Sequence, residues 1–135
     1  MLIMALSKKT LKLGLLVSIF VFLVFVPSAF AETHISGVID INTTWISANS
    51  PYIVDSDINI TSSTTLTIEP GVVVKFSPFT RITLDKSGVI HAVGTPTNKI
   101  YFTSLADDSI RGDTNGDGNT TIPNLTTGEY FWKGI

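Results

Sequence analysis

The chain has 135 residues, no cysteine and a formal net charge of −2, which limits it to one domain held by packing or metal because disulfides are excluded. Three of the nine basic residues, Lys8, Lys9 and Lys12, stand near the N-terminus. Without them six basic residues face eleven acidic ones, a net of −5, so nucleic acid is not an expected partner.

Residues 1–31 read as a signal peptide. The lysines form a positive n-region, Leu13 to Val26 is an apolar run, and Pro27-Ser28-Ala29-Phe30-Ala31 ends in a small-x-small pattern with cleavage expected before Glu32. Fourteen apolar residues at about 1.5 Å each reach roughly 21 Å, short of a hydrocarbon core of about 30 Å. Cleavage is therefore favoured over a membrane anchor, and the mature chain is expected to be secreted or on the cell surface.

The chain beyond Ala31 is rich in Thr, Ser, Asn, Val and Ile, with turn-formers at short intervals and no helical periodicity, so an all-β domain is expected. From Glu32 to Ser56 the apolar pattern is irregular. Thr43 to Ile46 and Tyr52 to Val54 read as two short strands around the Asn49-Ser50-Pro51 turn. Trp45 is expected in the core, where its large apolar area helps close the packing, and His34 has no evident role.

Beyond Ser56 the pattern becomes regular. Ile58/Ile60, Leu66/Ile68 and Val74/Phe76 alternate with polar neighbours, and Glu69-Pro70-Gly71 makes a corner between the last two pairs. A second set comes in Ile82/Leu84, Ile90/Ala92 and Ile100/Phe102, at offsets of 24, 24 and 26 residues. Three strands repeating as a set predict a right-handed parallel β-helix, a solenoid of about two coils, over residues 57–135. A β-sandwich pairs neighbouring strands antiparallel and needs no such register. The same register turns Asp57, Asn59, Thr67, Lys75, Arg81, Thr83, His91, Tyr101 and Thr103 outward, with Asp57 beside Arg81 and Lys75 beside Tyr101.

After Thr103 the rhythm breaks. A polar excursion occupies about residues 104–129 before the strand-like run Tyr130 to Ile135, and a loop that long is usually functional or disordered. It holds Asp113-Thr114-Asn115-Gly116-Asp117-Gly118, the first half of an EF-hand calcium loop. Asp113, Asn115 and Asp117 are placed to offer side-chain oxygens and Asn119 its carbonyl, while the glycine at the sixth position permits the sharp turn. The twelfth position is Asn124 instead of Glu, so Asp107, Asp108 and Glu129 are the carboxylates available to complete the sphere. A structural Ca2+ is expected, the plain alternative being a solvated acidic loop. Four sequons, at Asn42, Asn59, Asn119 and Asn124, are glycosylation candidates whose use depends on the host.

With the corner Leu66 to Phe76 and the run Ile100-Tyr101-Phe102-Thr103-Ser104 leading through Asp107-Asp108 to the DxNxDG stretch, the chain from about Thr44 to Ile135 resembles prokaryotic cell-surface proteins of the pectin-lyase-like superfamily. The resemblance implies secretion, a β-solenoid and an N-terminal cap over residues 32–56 built from the Trp45 and Tyr52 region. It makes Trp132-Lys133-Gly134-Ile135 the opening of a further coil, so the chain is expected to be the N-terminal part of a longer protein. Two functions compete. One is a non-catalytic surface module, structural, adhesive or carbohydrate-binding, with carbohydrate or other surface proteins as partners. The other is the front of a polysaccharide lyase or hydrolase, whose chemistry needs carboxylates converging on a groove. Only Asp57 and Asp85 flank the repeat strands, so no catalytic residue is expected within this chain.

Overall fold

The computed structural model describes residues 31–124 and 126–135, so the leader expected over residues 1–31 lies, but for its last residue, outside the described residues. Eight strands account for nearly all the regular structure: β1 (Thr33–Ile39), β2 (Thr43–Trp45), β3 (Tyr52–Ile60), β4 (Thr65–Ile68), β5 (Val73–Phe76), β6 (Ile82–Leu84), β7 (Val89–Ala92) and β8 (Tyr101–Ser104). A 3-10 turn, Ser47–Asn49, precedes β3. The all-β expectation holds among the described residues, and every strand ladder is parallel, which is not the pairing of an antiparallel sandwich.

Two sheets result. One runs β1-β3-β5-β8 with β6 also on β3, and the other runs β2-β4-β7. Ile58 pairs with Ile82 and Leu66 with Ile90, as the 24-residue spacing predicts. The third offset differs. Val74 pairs with Phe102 and Phe76 with Ser104, a step of 28 residues in place of the expected 26, so Lys75 lies beside Thr103 and Val73 beside Tyr101. A two-residue slip keeps the inward parity of Val74 and Phe102, which is why alternation alone does not expose it.

Two further differences come from local irregularity. β3 is one nine-residue strand running through Asp55-Ser56-Asp57, where the sequence pattern marks only Tyr52 to Val54 and the Ile58/Ile60 pair. Its first half pairs with β5 and its second with β6, so the intervening acids lie beside the Ser77-to-Arg81 corner. β1 has no signal in the sequence pattern, because the register shift between Ile35 and Gly37 breaks its period-two alternation. His34, on β1, meets both carboxylate oxygens of Asp55 at 3.0 and 2.9 Å.

Trp45, Tyr52, Val54, Ile58, Ile60, Leu66, Ile68, Val72, Val74, Phe76 and Ile82 join Ile39 in one buried cluster. Each such side chain contributes about 1.5–3 kcal/mol on leaving water. Trp45 stacks on Tyr52 with ring centroids 4.7 Å apart, and the Tyr52 hydroxyl accepts the Ile46 N–H at 2.9 Å, so the expected core role of Trp45 is met. On the outward side, Arg81 Nε donates to Asp57 Oδ2 at 3.0 Å, the predicted neighbour pair. The segment from Tyr130 returns to this edge without forming a strand. Phe79 N–H donates to Phe131 O at 2.9 Å, Lys133 N–H to Thr80 O at 2.7 Å and Ile82 N–H to Gly134 O at 3.1 Å, while Trp132 stacks on core Phe76 at 5.1 Å.

Candidate metal centre

The loop leaves β8 by extending its ladder, with Leu105 N–H donating to Phe76 O at 2.8 Å. It then folds back over the outward face of the sheet, and Lys75 shows where. This side chain, expected in solvent, is fully buried. Its ammonium donates to Asp107 O at 2.9 Å, Gly112 O at 2.8 Å and Thr114 Oγ1 at 2.9 Å. Three protons meet three acceptors, so the charge is satisfied. The correction has a simple cause: alternation assigns a side of the sheet, whereas burial on that side depends on what a distant segment lays over it. Desolvation holds the Lys75 pKa below its usual value, opposed by the negative charges of Asp108, Asp107, Glu32 and Asp113.

Left-handed backbone at Arg111, Gly112, Gly116, Gly118 and Asn119 winds the next stretch tightly. Asp113 organises it: Oδ1 accepts the N–H groups of Gly116 at 2.7 Å and Asp117 at 3.1 Å, and Oδ2 that of Gly118 at 2.8 Å. Asp117 is fixed in turn. Its Oδ1 accepts Thr120 N–H at 3.0 Å, and its Oδ2 accepts from Thr121 N–H at 3.0 Å, from Asn115 Nδ2 at 2.9 Å and from the Thr121 hydroxyl. These bonds, led by the Thr121 hydroxyl, lower its pKa against a smaller desolvation effect.

Asp108, Asp113 and Asp117 each bring a carboxylate oxygen to within 4.8 Å of the others. Both oxygens of Asp108, and Oδ1 of Asn115, are buried with no hydrogen-bond partner. Buried acceptors left unpaired are costly, and three carboxylates this close repel one another unless a cation lies among them. All the unpaired atoms are hard oxygen acceptors, the donor set that Ca2+ takes in numbers of six to eight. The residues therefore fit the group.

Asp107 and Glu129, the other carboxylates expected, bond elsewhere. Asp107 is outside the group of three: its Oδ1 accepts Ser109 N–H at 3.1 Å together with the Ser109 hydroxyl, and its Oδ2 accepts the Thr103 hydroxyl. Desolvation would raise its pKa, but these bonds and nearby Lys75 together lower it. Glu129 is also outside, accepting the Thr127 hydroxyl at 3.0 Å. Asn119 is exposed, in left-handed backbone. Asn124 Oδ1 accepts the N–H groups of Thr126 and Thr127 at 2.9 and 3.1 Å, a turn and not the twelfth ligand position. Of the remaining sequon residues, Asn42 Oδ1 accepts Thr65 N–H at 2.9 Å. Asn59 spans the next ladder, donating to Asp85 at 3.3 Å and accepting from Thr83 at 3.1 Å.

The fold and the site thus define an all-β chain of parallel strands with an acidic loop pinned to one sheet. Over 97 residues, 64% of the chain, it is 36% identical to a Drosophila melanogaster relative, protein bark beetle. The chain spans about 3% of that relative's length. No family profile and no solved structure matches it. No helix among the described residues is long and apolar enough to cross a membrane.

Proposed function

We propose that this chain is an exported, non-catalytic module of a right-handed parallel β-helix, serving surface structure or adhesion, in which one Ca2+ orders the loop after β8. The parallel ladders at offsets of 22 to 28 residues from β2 onward support the solenoid. The leader pattern supports export, and the resemblance to pectin-lyase-like surface proteins supports the architecture. The observation that carries the metal is the pair of buried, unpartnered Asp108 oxygens facing Asp113 and Asp117. Extracellular calcium sites work at affinities as weak as about 10⁻⁴ to 10⁻³ M, so a partial EF-hand loop is sufficient.

In this reading the ion offsets the entropy of holding a long loop in one conformation, and Lys75 anchors the same loop from the sheet side. The test is amide hydrogen exchange over residues 105–124 with calcium and with chelator. Protection should fall in chelator, and Asp113→Asn should mimic the loss with calcium present. Equal exchange under both conditions would overturn the metal reading.

A further inference from the structure

The sequons are not equivalent once the chain is folded. An N-linked glycan is joined through the asparagine Nδ2, and the motif requires a hydroxyl two residues on, so an acceptor in the folded chain needs both groups open to solvent. At Asn59 neither is. Its side chain is half-buried on β3 between Val38 of β1 and Thr83 of β6, its Nδ2 donates to Asp85 Oδ1 at 3.3 Å, and the Thr61 hydroxyl lies 3.0 Å from that of Thr64. Asn119 is exposed, but the Thr121 hydroxyl is held between Asp117 Oδ2 and Asn115 Nδ2. The sequon at Asn124 includes Leu125, which lies outside the described residues. Among the three sequons described in full, Asn42 is the one with both groups free. Asn42 and Thr44 are exposed, Asn42 uses its Oδ1 for Thr65 N–H at 2.9 Å and leaves Nδ2 unused, and the Thr44 hydroxyl has no partner among the described residues.

The surroundings of Asn42 give a glycan there a task. It stands in the corner between β1 and β2, which pair on one side only, with β3 and β4. Their other edges offer unpaired backbone groups, the template on which a foreign strand adds. Two large apolar side chains share this end: Ile41, next to Asn42, is 72% exposed, and Val38 on β1 is 62% exposed. We propose that Asn42 is the glycan acceptor of the folded chain and that the glycan shields this edge. In the transfer Nδ2 attacks the anomeric carbon of a lipid pyrophosphate-linked oligosaccharide. The C–N bond forms, the C–O bond to the pyrophosphate breaks, Nδ2 gives up one proton and the lipid pyrophosphate leaves. Oδ1 is untouched and keeps its bond to Thr65, so the corner survives. The bulky, solubilising sugar then covers Ile41 and the free side of β2. The proposal rests on the export reading above in that the chain must reach such a transferase.

The test is secretion from a eukaryotic host in two forms, one with the chain's own leader and one with a host leader placed ahead of the full chain. Enzymatic release of N-glycans in heavy-oxygen water marks each occupied asparagine, and peptide mapping reads the marks. In whichever form is exported, Asn42 should be marked in most molecules and Asn59 in none. Asn42 unmarked, or Asn59 marked as often, overturns the proposal. Export under the host leader but not under the chain's own overturns the export reading and leaves the acceptor to be decided by the marks. Thr44→Ala removes the sequon without touching the bond from Asn42 to Thr65, and Thr44→Ser restores it. In sedimentation velocity the parent and Thr44→Ser should stay monomeric, whereas Thr44→Ala should associate as its concentration rises. Deglycosylation of the folded parent should give the same association, so the readout does not depend on how the variant folds. A monomer in every case overturns the shielding role.

Discussion

Lys75 is the residue on which sheet and loop depend together. Replacing it with methionine keeps much of the length of the stem but removes the three donors, leaving the Asp107 and Gly112 carbonyls without their partner. A buried acceptor stranded in this way costs about 1–3 kcal/mol, so Lys75→Met should lower the urea midpoint by a corresponding amount, measured by tryptophan fluorescence. Unchanged stability would mean that water replaces the ammonium without loss. Asp107 gives a second expectation, this one in pH. Its folded pKa lies below the ordinary aspartate value of 3.8, so the unfolded chain takes up its proton first as the medium is acidified. The stability it contributes is present above that ordinary value and disappears as pH falls through the lower folded one. With chelator present, thermal unfolding followed from mildly acidic pH downward should show a shallower decline for Asp107→Asn than for the parent chain.

Among the elements, consecutive layers approach closely at Gly88, in the corner between β6 and β7. A Cβ there would lie 2.8 Å from Ile60 O and 3.1 Å from Thr61 O, backbone atoms that cannot turn aside. Gly88→Ala should destabilise by about 1–3 kcal/mol through overpacking, seen as a lower denaturation midpoint. An unchanged midpoint would show that the corner shifts freely. Gly88 N–H closes the turn by donating to Asp85 O at 2.8 Å, and Val89 N–H then leads into the β4–β7 ladder by donating to Thr64 O at 2.9 Å.

For the molecule as a whole, a cation that binds only the folded chain raises its stability by mass action. Calcium at about a hundred times its dissociation constant should add about 2.7 kcal/mol, read as a rise in Tm that Asp108→Asn reduces. The repeat and the inward residues of its first set were legible from the sequence because alternation with a constant offset requires nothing beyond short-range pattern: Ile58, Leu66 and Val74 could be assigned without knowing any contact, whereas Leu84 and Ala92 of the second set, expected inward, are exposed. The DxNxDG stretch was legible for the same reason, as oxygen donors at alternate positions around a turning glycine. The 28-residue step onto β8, the burial of Lys75, and the presence of Asp108 but not Asp107 in the acidic group were decided only by the tertiary structure. The step is set by the length of the connection from Val93 to Ile100, and the other two depend on how the stretch from Leu105 to Thr121 folds back on the sheet; residues dozens of positions apart in sequence leave no periodic trace of meeting in space.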